Sequence, residues 1–310
     1  MKLGITMGDS SGVGPEILLK AIRQGELRRP FVIFGDRAVL ERSNQELNFG
    51  VDVAALDMVD HKLMTRSNVT PGQLNAASGH AAREYVVSAT KAALRGEIAA
   101  IVTLPMNKEA TRQSDPAFTG HTELIGEICG APDVTIMLAS SQLVVTHVST
   151  HVSLREAIER AKKERVLRII ELTHQAAVRL FDRPRIAVAG LNPHAGEHGL
   201  FGREEIDEIE PAVREAQSRG IPVEGPVPPD TVFYMAVTRK QYDAVVCMYH
   251  DQGHIPSKLL DFEGGVNVTL GLPIIRTSVD HGTAFDIAWK GTASTRSLVA
   301  AFEFAARLAH

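Results

Sequence analysis

AVVCMYHDQGHIPSK, residues 244–258, decides the fold class of this chain, because an apolar run passes directly into a polar segment. Residues 244–248 are typical of a strand buried within a sheet. Residues 249–258 then bring two imidazoles, a carboxylate, an amide and an amine into what we predict to be a loop. Open α/β sheets bind their ligands at the carboxyl ends of the strands, so this stretch predicts such a sheet with a functional site at its edge.

The rest of the chain alternates strand and helix patterns in the same way. Short runs rich in β-branched residues predict strands at residues 3–7, 31–34, 99–103, 134–138, 143–147, 185–191, 243–248 and 274–278. Helical patterns are predicted at residues 15–23, 76–95, 153–180, 204–219 and 295–308. This order indicates an α/β fold with helix-covered, mainly parallel sheets. We expect two lobes, one from residues 1–118 plus 275–310 and one from residues 119–274.

Composition restricts the class of function. The chain has 310 residues, of which 44% are apolar and 23% are charged, values that are ordinary for a globular protein. A net charge of -4 provides no basic surface for nucleic acid, and no apolar run is long enough to span a membrane. Cys129 and Cys247 form no disulfide framework, and no signal-peptide core precedes the first loop. We therefore expect a cytoplasmic protein without nucleic-acid or membrane partners.

Several histidines follow predicted strands and are candidate metal ligands. His194 and His250 each follow one strand, and either His147 or His151 could serve at a third. Three imidazoles at strand ends could form the open, three-ligand site that a catalytic divalent metal uses. The sequence separations define no geometry, however. We interpret the histidines outside polar clusters as ordinary surface or core residues, namely His61, His80, His174 and His310.

Other polar segments add weaker signals. The glycine-rich loop at residues 8–16 could be an anion site or only a tight turn, since its spacing matches no nucleotide motif. TGHTE, residues 119–123, could face a substrate at the start of a helix or simply cap that helix. Lys258 and Arg276 are the kinds of cation that an anionic substrate requires, although isolated cations are usually solvated.

Together these motifs resemble the 4-hydroxythreonine-4-phosphate dehydrogenase family, in order and almost from end to end. The matching segments are GD at 8–9, GVGPE at 12–16, GHTE at 120–123, GLNPHAGE at 190–197, YHDQG at 249–253 and LPIIRTSVDHGTA at 272–284. QGHIP at 252–256 and VSTHVSL at 148–154 are similar to the branch that acts on 4-phospho-D-threonate or 4-phospho-D-erythronate. His254 would then be a marker of that branch.

The resemblance implies a fold similar to isocitrate and isopropylmalate dehydrogenases, and a homodimer whose active site lies between lobes and subunits. The second lobe would carry the metal ligands and the dimer contacts. The implied ligands of the metal are His151, His194 and His250, which leaves out His147 and takes His250 from the other subunit. Zinc is the expected metal, with cobalt, manganese and magnesium as alternatives. The implied substrate-binding residues are His121, Thr122, Lys258, Asn267 and Arg276.

The family also implies NAD as cofactor, on the segment at residues 281–291. Its expected cofactor-binding residues are Gly282, Thr283, Ala284 and Asp286. Trp289 stands where the family usually has Gly, and Ser10-Ser11 replaces the common Pro-Ala of the first loop.

The expected reaction is oxidation of a 3-hydroxyl in a 4-phosphorylated four-carbon acid, followed by loss of CO2 to give dihydroxyacetone phosphate. Lys258 is the expected acid/base, because burial near a metal would lower the pKa of its amine, and His121 is the second candidate. Three alternatives remain open: the related vitamin B6 biosynthetic activity, a three-histidine metal hydrolase, and a phosphoacid-binding protein without catalysis.

Overall fold

The computed structural model describes residues 1–262 and 264–309, so His310 lies outside the described residues. The chain forms two compact units, Met1–Val134 with Leu272–Ala309 (unit 1) and Thr135–Gly271 (unit 2). Elements are numbered along the whole chain. The strands of unit 1 are β1 (Leu3–Thr6), β2 (Phe31–Gly35), β3 (Met58–Asp60), β4 (Ile101–Thr103) and β11 (Arg276–Val279). Its helices are α1 (Gly14–Arg23), α2 (Arg37–Glu46), α3 (Ala76–Leu94), α4 (Lys108–Arg112), α5 (His121–Ile128) and α11 (Arg296–Leu308).

The strands of unit 1 form a parallel sheet in the order β3-β2-β1-β4-β11. Because all five run the same way, the loops that follow them meet at one edge of the sheet. The first boundary between the units falls at 134/135 instead of the predicted 118/119. Helix α5 explains the difference, since its Leu124 and Ile125 are buried against Val86 of α3 and Met106.

Unit 2 contains residues 244–258, the apolar run and the polar segment that follows it. Its strands are β5 (Thr135–Ala139), β6 (Val144–His147), β7 (Ile186–Ala189), β8 (Val223–Val227), β9 (Ala244–Cys247) and β10 (Val266–Leu270). Its helices are α6 (Leu154–Arg160), α7 (Lys163–Leu180), α8 (Glu210–Ser218), α9 (Val232–Val237) and α10 (His250–Leu260). The order is β10-β5-β6-β9-β7-β8, in which the pairs β10–β5 and β5–β6 are antiparallel and the pairs β6–β9, β9–β7 and β7–β8 are parallel. The predicted α/β, mainly parallel fold is thus confirmed.

The prediction of a loop at residues 249–258 is wrong, because helix α10 begins at His250 directly after β9. Gly253 allows α10 to pack closely against the ends of β6 and β9. A Cβ at this position would lie 2.5 Å from His147 Nε2 and 3.0 Å from Cys247 Sγ, so no larger residue fits. The functional groups therefore stand on a helix that is anchored at the end of a buried strand.

Smaller differences from the predicted elements have local causes. The helix predicted at residues 153–180 is two helices, because the backbone leaves the helical region at Ala161 and Lys162. The helix predicted at 204–219 begins with a π-helical turn at Glu205–Ile209, and Pro211 lies in the first turn of the regular helix α8 that follows. Strands β3, β8 and β10 were not predicted; β8 contains Gly225 and Pro226, which weaken the strand pattern. No helix of the described residues is both long enough and apolar enough to cross a membrane.

Candidate active site

The three predicted metal ligands follow three neighbouring parallel strands of unit 2. His151 comes after β6, His250 after β9 and His194 after β7, and β9 lies between the other two strands. Hydrogen bonds join the segments that follow β6 and β9. Val148 N–H donates to Cys247 O, and Ser149 Oγ donates to Met248 O at 2.9 Å. The sheet therefore brings the three segments to one edge.

His250 is oriented by its own neighbour in sequence. Its Nδ1 lies 2.6 Å from Asp251 Oδ1. Because a carboxylate only accepts, Nδ1–H is the donor, and the lone pair is left on Nε2. A carboxylate bonded to the far nitrogen is the usual arrangement behind a metal-binding imidazole. The His151 ring lies 5.6 Å from the His250 ring between centroids, so these two predicted ligands approach each other within one chain.

His194 lies in an unusual turn of the backbone. Residues 194–198 all have positive φ, from 43° at Glu197 to 80° at Gly196, which is a strained region for residues other than glycine. The buried carboxylate of Glu205 holds the backbone that leads into this turn. Its Oε1 accepts the backbone N–H groups of Leu191 and Asn192, both at 2.7 Å, and its Oε2 accepts Asn192 Nδ2–H at 2.9 Å. Strain held in this way is characteristic of functional turns.

Gln252 joins the segments of His194 and His250, a role that sequence reasoning missed. Its Oε1 accepts Met248 N–H at 2.6 Å and its Nε2 donates to Gly190 O at 2.7 Å. Its side chain therefore connects the start of α10 with the end of β7. Within the described residues of one chain, however, no three His, Cys, Asp or Glu side chains come together in a metal-binding arrangement.

Unit 1 presents a different kind of site, built around a buried cation. Arg276 is only 3% exposed, and its Nη2 and Nε donate to Thr103 Oγ1 at 2.8 and 3.2 Å. Burial lowers the pKa of this guanidinium to about 10, and nearby Glu123 opposes that shift. The group remains positively charged at neutral pH, and a buried cation of this kind is suited to bind an anion.

His121 begins helix α5 and lies beside this cation. Burial, with the charges of Arg276 and Lys108, lowers the pKa of His121 to about 3, so its ring is neutral at physiological pH. Its Nε2 is buried and makes no hydrogen bond to the described residues. Thr122 follows on the same helix. Lys108, the first residue of α4, was not predicted as a site residue.

Lys258 and Asn267 lie in unit 2. Lys258 is half-buried on α10, with Nζ 5.1 Å from the centre of the Phe262 ring. Asn267 lies on β10 opposite Leu138, and its buried Oδ1 makes no hydrogen bond to the described part of the chain. Their roles in substrate binding stay predictions.

The predicted cofactor segment lies against the first loop of unit 1. Val13 N–H donates to Thr283 O, and a Cβ on Gly12 would lie 2.9 Å from Thr283, which explains the glycine. Trp289 is buried at a φ of 58°, and its Nε1–H donates to Ser10 O at 3.2 Å. The two departures from the family pattern, at Ser10-Ser11 and Trp289, are therefore in direct contact.

Comparison with known proteins identifies the family of the chain. The model of the family described as pyridoxal phosphate biosynthetic protein PdxA matches residues 26–305. The D-threonate 4-phosphate dehydrogenase of Cupriavidus necator is 45% identical over 99% of this chain and 97% of its own length. The 4-hydroxythreonine-4-phosphate dehydrogenase of Desulforapulum autotrophicum is 44% identical over 98% of this chain and 94% of its own length.

A solved structure extends the match to three dimensions. The 4-hydroxythreonine-4-phosphate dehydrogenase of Klebsiella pneumoniae is 43% identical and has a TM-score of 0.90, over 100% of this chain and 99% of that one. All three similar proteins are named dehydrogenases, which agrees with the enzyme class expected from the sequence. With a match of this extent, the chain belongs to the PdxA family of dehydrogenases.

Proposed function

We propose that this dehydrogenase oxidises the 3-hydroxyl of a 4-phosphorylated four-carbon hydroxy acid, with NAD and a divalent metal, and releases CO2. The proposed substrate is 4-phospho-D-threonate or 4-phospho-D-erythronate, and the product is dihydroxyacetone phosphate. The observation that carries the proposal is the buried Arg276 beside neutral His121 in unit 1. These groups offer an anion one fixed charge and one imidazole nitrogen that has no other partner among the described residues.

The anionic groups of the substrate would bind to the cations of unit 1. Arg276 presents a planar fork that matches two oxygens of a phosphate or carboxylate. Lys108, whose charge reaches His121, would add a second, more mobile cation. Thr122 would add a hydroxyl to this binding set, and Asn267 of unit 2 is a further proposed substrate-binding residue. Because Arg276 is already buried and held by Thr103, little ordering remains to be done on binding.

The donors of unit 2 fit a divalent metal. His250 has its Nε2 lone pair available, and the His151 ring is close to it. His194, on its fixed turn, would be the third ligand. When bound, the metal polarises the hydroxyl and carboxylate oxygens of the substrate as a Lewis acid. Three imidazoles favour zinc, with cobalt, manganese and magnesium as alternatives.

The segment at residues 281–291 fits a dinucleotide. A Cβ on Gly282 would meet nothing, so its backbone borders open space, and the side chain of Asp286 is exposed and can accept from hydroxyl groups. Thr283 and Ala284 lie between them. NAD supplies the hydride acceptor of the reaction. The residues of the chain would hold C3 of the substrate next to the nicotinamide ring of NAD.

Lys258 is the proposed proton acceptor for the 3-hydroxyl. As C3 gives up its hydride, the O–H proton passes to the amine of Lys258 and a 3-keto acid forms. The bond between the carboxyl carbon and C2 then breaks, CO2 leaves, and the electron pair remains on the C2–C3 enolate. Return of the proton to C2 gives dihydroxyacetone phosphate. Neutral His121, with its low pKa, is better suited to accept a hydrogen bond than to store this proton.

We further propose that the protein works as a homodimer, with His250 completing the metal site of the other subunit. The described part of unit 2 exposes large apolar side chains, including Ile255 at 64% and Leu259 at 85% on α10, and Leu200 at 72% near His194. Apolar surface beside an incomplete ligand set is what a second copy of the chain would cover.

A second candidate is oxidation of 4-hydroxythreonine 4-phosphate in the synthesis of pyridoxal phosphate. Relatives with this name and with the D-threonate name are almost equally similar to the chain, at 44% and 45%. The two substrates differ in an amino or a hydroxyl group at C2. A three-histidine hydrolase would require no NAD, and a binding protein would produce no turnover.

The test is NAD reduction with phosphothreonate, phosphoerythronate and phosphohydroxythreonine, each with and without a chelator. We expect turnover with one of the first two, CO2 in equal amount, and loss of activity with the chelator that zinc or cobalt restores. His250→Ala should abolish both metal content and turnover, whereas His174→Ala, a histidine on α7, should change neither. Preference for phosphohydroxythreonine would support the second candidate. Metal and turnover unchanged in His250→Ala would refute the metal site.

A further inference from the structure

Two histidines outside the proposed ligand set pack behind His250. His147, at the end of β6, is fully buried, and His254, one turn along α10, is 8% exposed. The His254 ring is stacked on the His250 ring, with 3.5 Å between centroids and 12° between planes. The His147 ring lies 4.6 Å from that of His254. The three rings thus form a continuous column from the interior of unit 2 to the proposed ligand.

Hydrogen bonds define which nitrogen atoms of His147 and His254 donate and which accept. His147 Nδ1 lies 3.3 Å from Ile136 O, so Nδ1–H is the donor and Nε2 carries the lone pair. His254 Nδ1 lies 3.2 Å from that Nε2 and 3.0 Å from His250 O, so its single N–H is shared between the two acceptors. Burial, together with nearby His254, lowers the pKa of His147 to about 3, which keeps this acceptor unprotonated.

The column leaves the His250 ring little freedom. One face of the ring rests on His254, and its Nδ1 edge is bonded to Asp251. His254 cannot move away, because it is bonded to His147, and Gly253 leaves no space between α10 and His147. A face and an edge that are both fixed determine the direction of the remaining Nε2 lone pair.

We propose that His254, held by His147, is a positioning residue that orients the imidazole of His250 toward the metal. The inference rests on the proposed metal site and adds to it a buried pair that lies outside the proposed ligand set. An imidazole that is already oriented loses less freedom when it binds the ion. The pair would therefore set the affinity of the site, and the geometry around the ion, more than the stability of the fold.

The experiment measures Co2+ and Zn2+ dissociation constants of the chelator-treated full-length protein, together with the visible spectrum of bound Co2+. His254→Leu removes the stack and the hydrogen bond, and we expect it to weaken metal binding by about 10- to 100-fold and to change the Co2+ spectrum. His254→Phe keeps the stack alone and should recover part of the affinity. Thermal unfolding in chelator measures the contribution to the fold separately, and His174→Ala is the matched control.

The outcomes separate this inference from the proposed metal site. If His250→Ala loses the metal while both His254 variants keep the wild-type affinity and spectrum, the positioning role is wrong and the site stands. Equal losses in metal-free stability and in affinity, with an unchanged spectrum, would reduce the pair to a structural role and overturn the proposal. A wild-type protein that binds neither ion, or a His250→Ala variant that binds as tightly as wild type, would remove the site itself.

Discussion

The functional edges of the two units are built in opposite ways. In unit 1, the groups that would meet the substrate are already desolvated, since Arg276 is 3% exposed and His121 Nε2 is buried. In unit 2, His151 and His194 are exposed, and within the described residues of one chain no three-ligand group forms. The proposed anion site is thus already formed within a single chain, whereas the proposed metal site would need a further contribution.

This difference has a physical reason. A buried guanidinium can keep its charge if neighbouring hydroxyl groups and a carboxylate compensate it, as Thr103 and Glu123 do for Arg276. Three imidazoles brought together without a metal would repel one another when protonated and would gain little when neutral. A site assembled between subunits avoids that cost until the ion and the partner are both present.

The largest expected effect comes from exchanging the ligands between subunits. His151→Ala and His250→Ala homodimers should both be inactive. If His250 serves the other subunit, dimers mixed from the two variants contain one intact site in each heterodimer, which restores about a quarter of wild-type activity in a random mixture. Activity is measured after the variants are unfolded together and refolded.

The opposite result is equally specific. If His151 and His250 of the same chain bind the same ion, as their 5.6 Å ring separation also permits, every site in the mixture lacks one ligand. No activity would then return. In that case the proposed metal site of unit 2, like the proposed anion site of unit 1, would be formed by a single chain.

Arg276→Lys tests the proposed anion site of unit 1. Lysine keeps the charge but loses the fork and the two bonds to Thr103, so we expect kcat/KM to fall by about 100- to 1000-fold with little change in metal affinity. Arg307→Lys, an exposed exchange on α11, is the matched control and should leave kcat/KM unchanged. A fall of less than tenfold would mean that Arg276 supports the fold and does not bind the substrate.

Much of this architecture could be predicted from the sequence, because it depends on patterns within short segments. Apolar runs followed by polar residues located the strand ends that carry His194 and His250. The family motifs selected His151 instead of His147 as the metal ligand, which spacing alone could not do, and that choice stays a prediction. Arg276 was recognised as a candidate cation, but its burial was not visible in the sequence.

What the sequence could not show depends on contacts between distant segments. Residues 249–258 were predicted to form a loop, yet helix α10 forms there and its Gly253 packs closely against His147, far away in the chain. His147 was set aside and His254 was treated as a marker, although the two are hydrogen-bonded. Lys108 and Gln252 gave no distinct signal, since their roles arise only when β4 and β7 bring their partners near.

The smallest expected effect concerns Asp9, a buried carboxyl in the first loop of unit 1. Burial raises the pKa of Asp9 from 3.8 to about 6, in spite of the backbone N–H groups of Ser11 and Asn107. The folded protein therefore holds this proton more tightly than the unfolded chain, and the favourable contribution is present at pH 4 and lost as the pH rises through 6. The side chain in Asp9→Asn cannot ionise. The free energy of unfolding of this variant, relative to that of wild type, should therefore rise between pH 4 and pH 6 and stay constant above pH 6. Urea unfolding at four pH values measures this difference, with Asp57→Asn, an exposed carboxylate paired with Lys2, as the control. If the difference in free energy of unfolding between Asp9→Asn and wild type does not change with pH, the first loop admits water. The groups at this edge of unit 1 would then be less desolvated than the comparison with unit 2 assumes.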